Sequence, residues 1–297
     1  MKKIFYIIAL GVGLAGCSNN EDELLSTGSF PEDHVIRIIT EVNEPLSRAG
    51  YDVTNLERFG LMIRNSENAA YNYHKQMVSS GNAWSTSDGQ QMLWDAERTP
   101  VTMIAYAPYM NEAAPDASLA VNALTNQATE ENVKSSDFLL MKATVDPEQD
   151  LTADGKLKIS LSHAMSKLII KITVNGTADA AMNKLGDMSI NGAVVNGICD
   201  LSATVPIVVP APDAVVATVA PYKGTESCEC ILPPQKIAEG FSVNFSYDGK
   251  LYIWTAKEAI ELEKGVEHTL TLNVNTTVRL AAKMARNWAT GQLIDRN

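Results

Sequence analysis

"KLKISLSHAMSKLIIKITVN", residues 156–175, decides how this chain folds. It is rich in strand-forming residues over its whole length, and Leu157, Ile159 and Leu161 alternate with polar neighbours. Twenty residues exceed one ordinary strand, so the stretch reads as two strands with a bend near His163–Ala164. The same pattern recurs on both sides. "VIRIITEV" (35–42) is β-branched and alternating. "RFGLMIRN" (58–65) and "PVTMIAYAPY" (100–109) read as strands, the second nearly all apolar and so central in its sheet. "GFSVNFSYDGKLYIW" (240–254) is a hairpin: Phe241, Val243 and Phe245 alternate, Asp248-Gly249 turns, and Tyr252 and Trp254 return. "EHTLTLNVNTTVRLAAKM" (267–284) alternates again, and 116–134 has room for one short helix. The expected class is all-β, built of packed sheets. The polar "VDPEQDLTADG" (145–155) is the best linker, giving units at 35–150 and 151–297.

The first residues carry a different signal. Lys2 and Lys3 precede an apolar run, Ile4 to Leu10, too short to span a bilayer as a mature helix. Leu14-Ala15-Gly16-Cys17 resembles the bacterial lipobox, in which the thiol is diacylated and cleavage leaves Cys17 first. Residues 1–16 are then a signal peptide and 17–34 a lipidated acidic tether. Two or three acyl chains, at about 0.8 kcal/mol per buried methylene, hold a soluble domain where one chain does not. Glu21, Asp22 and Glu23 resemble the export signal of surface lipoproteins, which places the chain on the outer face of an outer membrane. Gly11, Gly13 and Gly16 match a dinucleotide-binding spacing, but no strand precedes them and no helix follows.

A net charge of -11 argues against nucleic acid and against anionic headgroups, leaving the lipid as the membrane link. Cys199, Cys228 and Cys230 form an odd set; Cys228 and Cys230, two apart on a strand, do not readily bridge each other. A bridge from Cys199 to either stays open. No histidine stands at zinc-ligand spacing beside them, and no metal or cofactor is expected. Hydrolase, metalloprotease, P-loop and EF-hand motifs are missing from the sequence. His34, His74, His163 and His268 are scattered, and His163 has only Ser162 and Ser166 beside it. Trp84, Trp94, Trp254 and Trp288 are the residues that would stack on sugars, although tryptophans more often fill a core.

"WDAERTPVTMIAYAPY" (94–109), "SSDFLLMKATV" (135–145) and "LKISLSHAMSKLIIKI" (157–172), in that order behind a lipobox, resemble the fimbrillin family, subunits of the type V pili of Bacteroidota. The resemblance runs from Cys17 to the C-terminus. It implies two tandem transthyretin-like β-sandwich domains and a non-enzymatic lipoprotein precursor at the cell surface. It also implies assembly by protease-triggered strand exchange. A trypsin-like enzyme cuts after an arginine, the first strand leaves, and a C-terminal strand of the next subunit replaces it. The partners are then other pilus subunits and the processing protease, and the end point is a fimbrium serving adhesion. The competing reading is a non-polymerising surface adhesin that binds host or glycan ligands.

Both ends of the chain bear residues suited to that mechanism. Pro45 and Gly50 flank Arg48–Ala49, just after strand 35–42, in what should be an exposed loop where proteolysis concentrates. Arg48 matches the family's processing position. Arg58 and Arg64 border or lie in a strand, and Arg37 lies in the strand to be removed. In the tail, about 276 to 291, Val278, Leu280, Ala282 and Met284 alternate with Arg279, Ala281, Lys283 and Ala285. An extended tail therefore offers one apolar face as a donor strand, with Trp288 on the same parity. An amphipathic helix or a self-capping last strand are the alternatives for this segment.

Overall fold

The computed structural model describes residues 29–42, 50–52, 54–80, 83–111, 113–114, 116–175, 181–274 and 286–287. Cys17, Arg48, Ala49, Val278, Leu280, Ala282 and Met284 lie outside them, as does Trp288. In chain order the first strands are β1 (Arg37–Val42), β2 (Arg58–Arg64), β3 (Tyr73–Ser80), β4 (Ala83–Thr86), β5 (Val101–Ala107) and β6 (Ser118–Asn122). After the short helix α1 (Glu130–Ser135) come β7 (Leu139–Val145), β8 (Lys156–His163) and β9 (Ser166–Val174). The one-turn α2 (Ala181–Lys184) leads into β10 (Leu185–Val194), β11 (Asn196–Asp200), β12 (Val208–Pro210) and β13 (Val216–Val219). Then follow β14 (Tyr222–Lys223), β15 (Cys228–Leu232), β16 (Gln235–Ile237), β17 (Ser242–Tyr247) and β18 (Lys250–Thr255). β19 (Ile260–Leu262), β20 (Val266–Val274) and β21 (Arg286–Asn287) complete the set. The fold is all-β.

The largest sheet runs β1-β8-β7-β5-β2-β3-β4. β5 sits at its centre, and the near-continuous apolar run of Val101–Ala107 follows from burial on both faces. One face presents Phe59, Leu61, Ile63, Met103 and Ala105 to a core shared with Ile38, Val42, Leu157 and Ile159. The other presents Met62, Ile104 and Tyr106 to a second core with Val121, Leu168, Ile170 and Leu270. The sheet curls until its edges meet: Trp84 of β4 donates from Nε1 to Thr40 Oγ1 of β1 at 3.0 Å.

Residues 156–174 divide as the sequence predicts. β8 lies in the seven-stranded sheet. The chain bends at Ala164–Met165, and β9 enters a second sheet of order β14-β15-β9-β20-β21. Ala164 N–H donates to Phe138 O at 2.8 Å, and Met165 O accepts from Gly265 N–H at 2.8 Å, which pins the bend to both sides. Asp248 (φ 52°) and Gly249 (φ 74°) both take positive φ between β17 and β18, as a two-residue hairpin requires.

Residues 116–134 contain the start of the expected short helix, at Glu130 and capped by Thr129, and ahead of it β6, which buries Leu119 and Val121 and pairs with β11. The polar 145–155 is a pair of tight turns joining β7 to β8 of one sheet, with Leu151 bridged to Leu157. β8 lies between β7 and β1 in the large sheet, and the change of sheet comes at the bend.

Candidate functional site

The first strand, β1, is attached along one side only. It is an edge strand, hydrogen-bonded in parallel to β8, with Arg37 opposite Lys156 and Val42 opposite Leu161. Just ahead of it, Ile36 N–H donates to Met92 O at 2.9 Å and His34 O accepts from Trp94 N–H at 2.7 Å. The β-branched alternation puts Ile36, Ile38 and Val42 into the core, each under a tenth exposed. Burying three such side chains contributes about 5–9 kcal/mol gross.

The outward groups add polar grips. Glu41 pairs with Lys158 at 2.8 Å and accepts from Ser160 Oγ. The lysine, then the serine, holds the Glu41 carboxyl below its usual range against a small opposing effect of burial. Asp33 bonds Arg37 and the Val35 N–H; these bonds, Arg37 first, hold its carboxyl down at about 2.

Downstream of the 43–49 connection the chain is fastened again. Tyr51 is buried, and its N–H donates to Asp137 Oδ2 at 3.0 Å. The same oxygen meets His163 Nδ1 at 2.9 Å, and Asp137 Oδ1 accepts from Phe138 N–H at 2.9 Å. Lys134 lies over the Tyr51 ring at 5.3 Å and donates to Asn55 O at 2.8 Å. Burial, and then the Asp137 charge, pushes the Tyr51 phenol up to about 12. A buried carboxylate with two backbone N–H partners and one imidazole partner thus anchors the residues that follow the proposed processing bond. No local pattern announces this clamp, since Tyr51 and His163 lie 86 and 26 positions from Asp137.

His34, His74, His163 and His268, and with them Trp84, Trp94 and Trp254, have structural partners. His34 packs edge-on against Phe30, His74 Nε2 lies 2.7 Å from Tyr106 Oη, and His268 Nε2 accepts from Glu263 N–H. Trp94 is 2 % exposed, Trp84 stacks edge-on against Phe59, and Trp254 does so against Phe241. None of these three offers a sugar platform. Cys199, Cys228 and Cys230 are buried free thiols; burial pushes them up, Cys199 to about 11 and Cys228 to about 12. Lys167, fully buried on β9, lies 2.8 Å from Glu229 of β15 and 3.8 Å from Glu267 of β20. This ionic group ties three neighbouring strands together.

The all-β frame has known relatives. The fimbrillin-like family model matches residues 47–287, so the chain belongs to the fimbrillin-like family, a non-enzymatic structural family. Among solved structures, the "putative cell adhesion proteins" of Bacteroides ovatus and Bacteroides uniformis share the fold. They superpose with TM-scores of 0.66 and 0.63 at 17% identity each. The first match covers 90% of this chain and 100% of that one, the second 87% and 99%. The tip fimbrial protein Mfa3 of Porphyromonas gingivalis, truncated at its C-terminus, gives 0.50 at 9% identity, over 85% of this chain and 99% of its own. No curated protein matches.

Proposed function

We propose that this protein is a subunit of a cell-surface pilus, made as a lipoprotein acylated on Cys17 and polymerised by strand exchange after cleavage at Arg48–Ala49. The observation that carries the reading is the attachment of β1: one hydrogen-bonded side, three buried side chains, and a clamp at Tyr51 that stays behind. Removing β1 uncovers one side of β8 and the sites of Ile36, Ile38 and Val42. A donor strand carrying Val278, Leu280, Ala282 and Met284 from another subunit supplies matching backbone pairing and alternate apolar side chains. Family membership and the adhesion and fimbrial neighbours support a pilus or adhesion role at the cell surface.

Limited trypsin treatment of the folded precursor tests this. The expected first product begins at Ala49, and the treated protein forms ladders that resist mild detergent. Arg48→Ala should abolish both, deletion of 276–297 should abolish the ladders alone, and Cys17→Ser should release the precursor from membranes. A first stable product starting elsewhere, or ladders from Arg48→Ala, overturns the mechanism.

A further inference from the structure

β18 (Lys250–Thr255) is an edge of the sheet β13-β10-β17-β18, and among the described residues no strand pairs with its outer side. The Asp248-Gly249 hairpin fixes what that side offers. Tyr247 and Lys250 close a two-residue hairpin and so face each other as a hydrogen-bonded pair; Phe245–Tyr252 and Val243–Trp254 repeat that parity. Ala256 N–H donates to Phe241 O at 2.9 Å, the next rung of the same series. Leu251, Ile253 and Thr255 therefore turn their N–H and C=O groups away from β17. Their side chains point away from the core, since Tyr252 and Trp254 pack against it. Leu251 is 87% exposed and Ile253 67%. Other edges are blunted. β4 meets β1 across the seam, β12 has three residues and ends in Pro210, and β13 has four with an irregular register to β10. β14 and β21 have two residues each, and β6 turns Ser118, Ala120 and Asn122 outward. β18 runs in unbroken register and shows solvent two large apolar side chains.

We infer that β18 pairs antiparallel with β18 of a second copy of this chain, about a twofold axis at Ile253. In that register Ile253 faces the partner's Ile253 and Leu251 faces the partner's Thr255. All three outward residues of each edge then join hydrogen-bonded pairs, roughly six backbone bonds in all. Sliding one strand by two residues loses one of the three pairs, so the edge fits itself best in this one register. The apolar side chains meet as cross-strand neighbours on the outer face. Two copies at -11 each repel at long range, so a contact between them needs an uncharged surface. This face supplies one: Ser242, Asn244 and Ser246 of β17 flank Leu251, Ile253 and Thr255, and none carries a charge. A lipid surface does not match, because it would leave the open N–H and C=O groups of the edge unpaired. The joined edges cover on the order of 700 Å², below the about 1,200 Å² of stable complexes, so the dimer is weak and reversible. It requires neither cleavage of the chain nor its tail.

Sedimentation velocity of the uncleaved full-length chain, carrying Cys17→Ser to keep it out of micelles, tests the contact. A reversible monomer–dimer equilibrium is expected, with Kd between about 10 μM and 1 mM. Ile253→Lys and Ile253→Glu each set like charges against each other on the axis and should weaken the dimer at least about tenfold. The lysine variant should do so even though it lowers the net negative charge. An equimolar mixture of the two should recover to within about threefold of the unsubstituted chain, because opposite charges then meet across the axis. Ile253 is two-thirds exposed, so each variant keeps the fold, which circular dichroism checks. Deletion of 276–297 should leave the dimer intact. The assignment is overturned by a chain that stays monomeric at about 1 mM, by single variants that dimerise as well as the unsubstituted chain, or by a mixture that recovers nothing. Loss of the dimer with the tail also overturns it, since the tail is then the occupant.

Discussion

The two ends of the chain are added to the same ribbon in the same way, yet they are fastened differently. β1 lies parallel to β8 over six residues, and β20 lies parallel to β9 over eight. β8 and β9 are consecutive, so residues 156–174 receive both additions. β1 has β8 on one side and, across the closing seam, a side-chain bond from Trp84. β20 has β9 on one side, β21 at its start on the other, and the buried Lys167–Glu267 contact through the sheet. His268, Leu270, Leu272 and Val274 are all buried along it. In the proposed mechanism the strand held mainly by its apolar side chains and one ladder is the one exchanged for another of the same pattern. The one tied into a core by ionic and apolar contacts on both sides stays. Parallel pairing by itself does not mark a strand as removable.

The largest effects should separate these two attachments. Leu272→Ala removes a fully buried side chain from the inner core and should cost about 2–5 kcal/mol of global stability, seen as a lower denaturation midpoint. Ile38→Ala empties a site in the β1 groove, and most of its cost should appear as local opening. Hydrogen exchange should then speed up at β1 amides while β9 and β20 stay protected. If Ile38→Ala lowers the global midpoint as far as Leu272→Ala does, β1 is integral and the comparison fails.

How much of this was written in the sequence depends on the range of the interaction. The strands of 156–174, the bend at 163–164 and the Asp248-Gly249 turn were legible because alternation and turn chemistry act between near neighbours. The parallel pairing of Arg37–Val42 with Lys156–Leu161 was not, since it joins residues more than a hundred positions apart. Residues 145–155 carry the polar composition of a linker, but a tight connection within one sheet needs the same Pro, Asp and Gly. In "SKLIIK" Lys167 gives no hint of burial until Glu229 and Glu267 stand beside it. Asp137 sits in an apolar stretch for a reason found only at Tyr51 and His163.

An intermediate effect should come from that clamp, which lies beyond the proposed processing bond. Asp137→Ala strips a partner from the Tyr51 N–H and from His163 inside the protein, at about 1–3 kcal/mol. Its particular signature is at Tyr51. The phenol, pushed up to about 12 by burial and by the Asp137 charge, should fall back towards its ordinary value of about 10 as the charge goes and the segment loosens. Ultraviolet titration would follow it. A destabilised variant whose Tyr51 titrates unchanged would mean that Asp137 supports the core without anchoring the segment after Arg48.

The smallest effect concerns acid. Glu41 is held below the ordinary carboxylate range by Lys158 and then Ser160, so the folded state binds its proton less readily than the unfolded chain. Its contribution is complete above the unfolded value of about 4.3 and disappears as pH falls through the lowered folded value. Asp33, held at about 2 mainly by Arg37, acts in the same direction at still lower pH. Both acids grip β1 or the residues just before it, so acidification below about pH 4 should loosen that end first. The Glu41–Lys158 pair is roughly half exposed and screened by water, which limits the effect to a few tenths of a kcal/mol. Exchange rates of β1 amides measured from pH 6 to 3, corrected for intrinsic chemistry, should rise relative to β9, and Glu41→Gln should flatten most of that rise. If β20 opens alongside β1, or Glu41→Gln leaves the profile unchanged, the acid response belongs to the whole fold and not to the grip on its first strand.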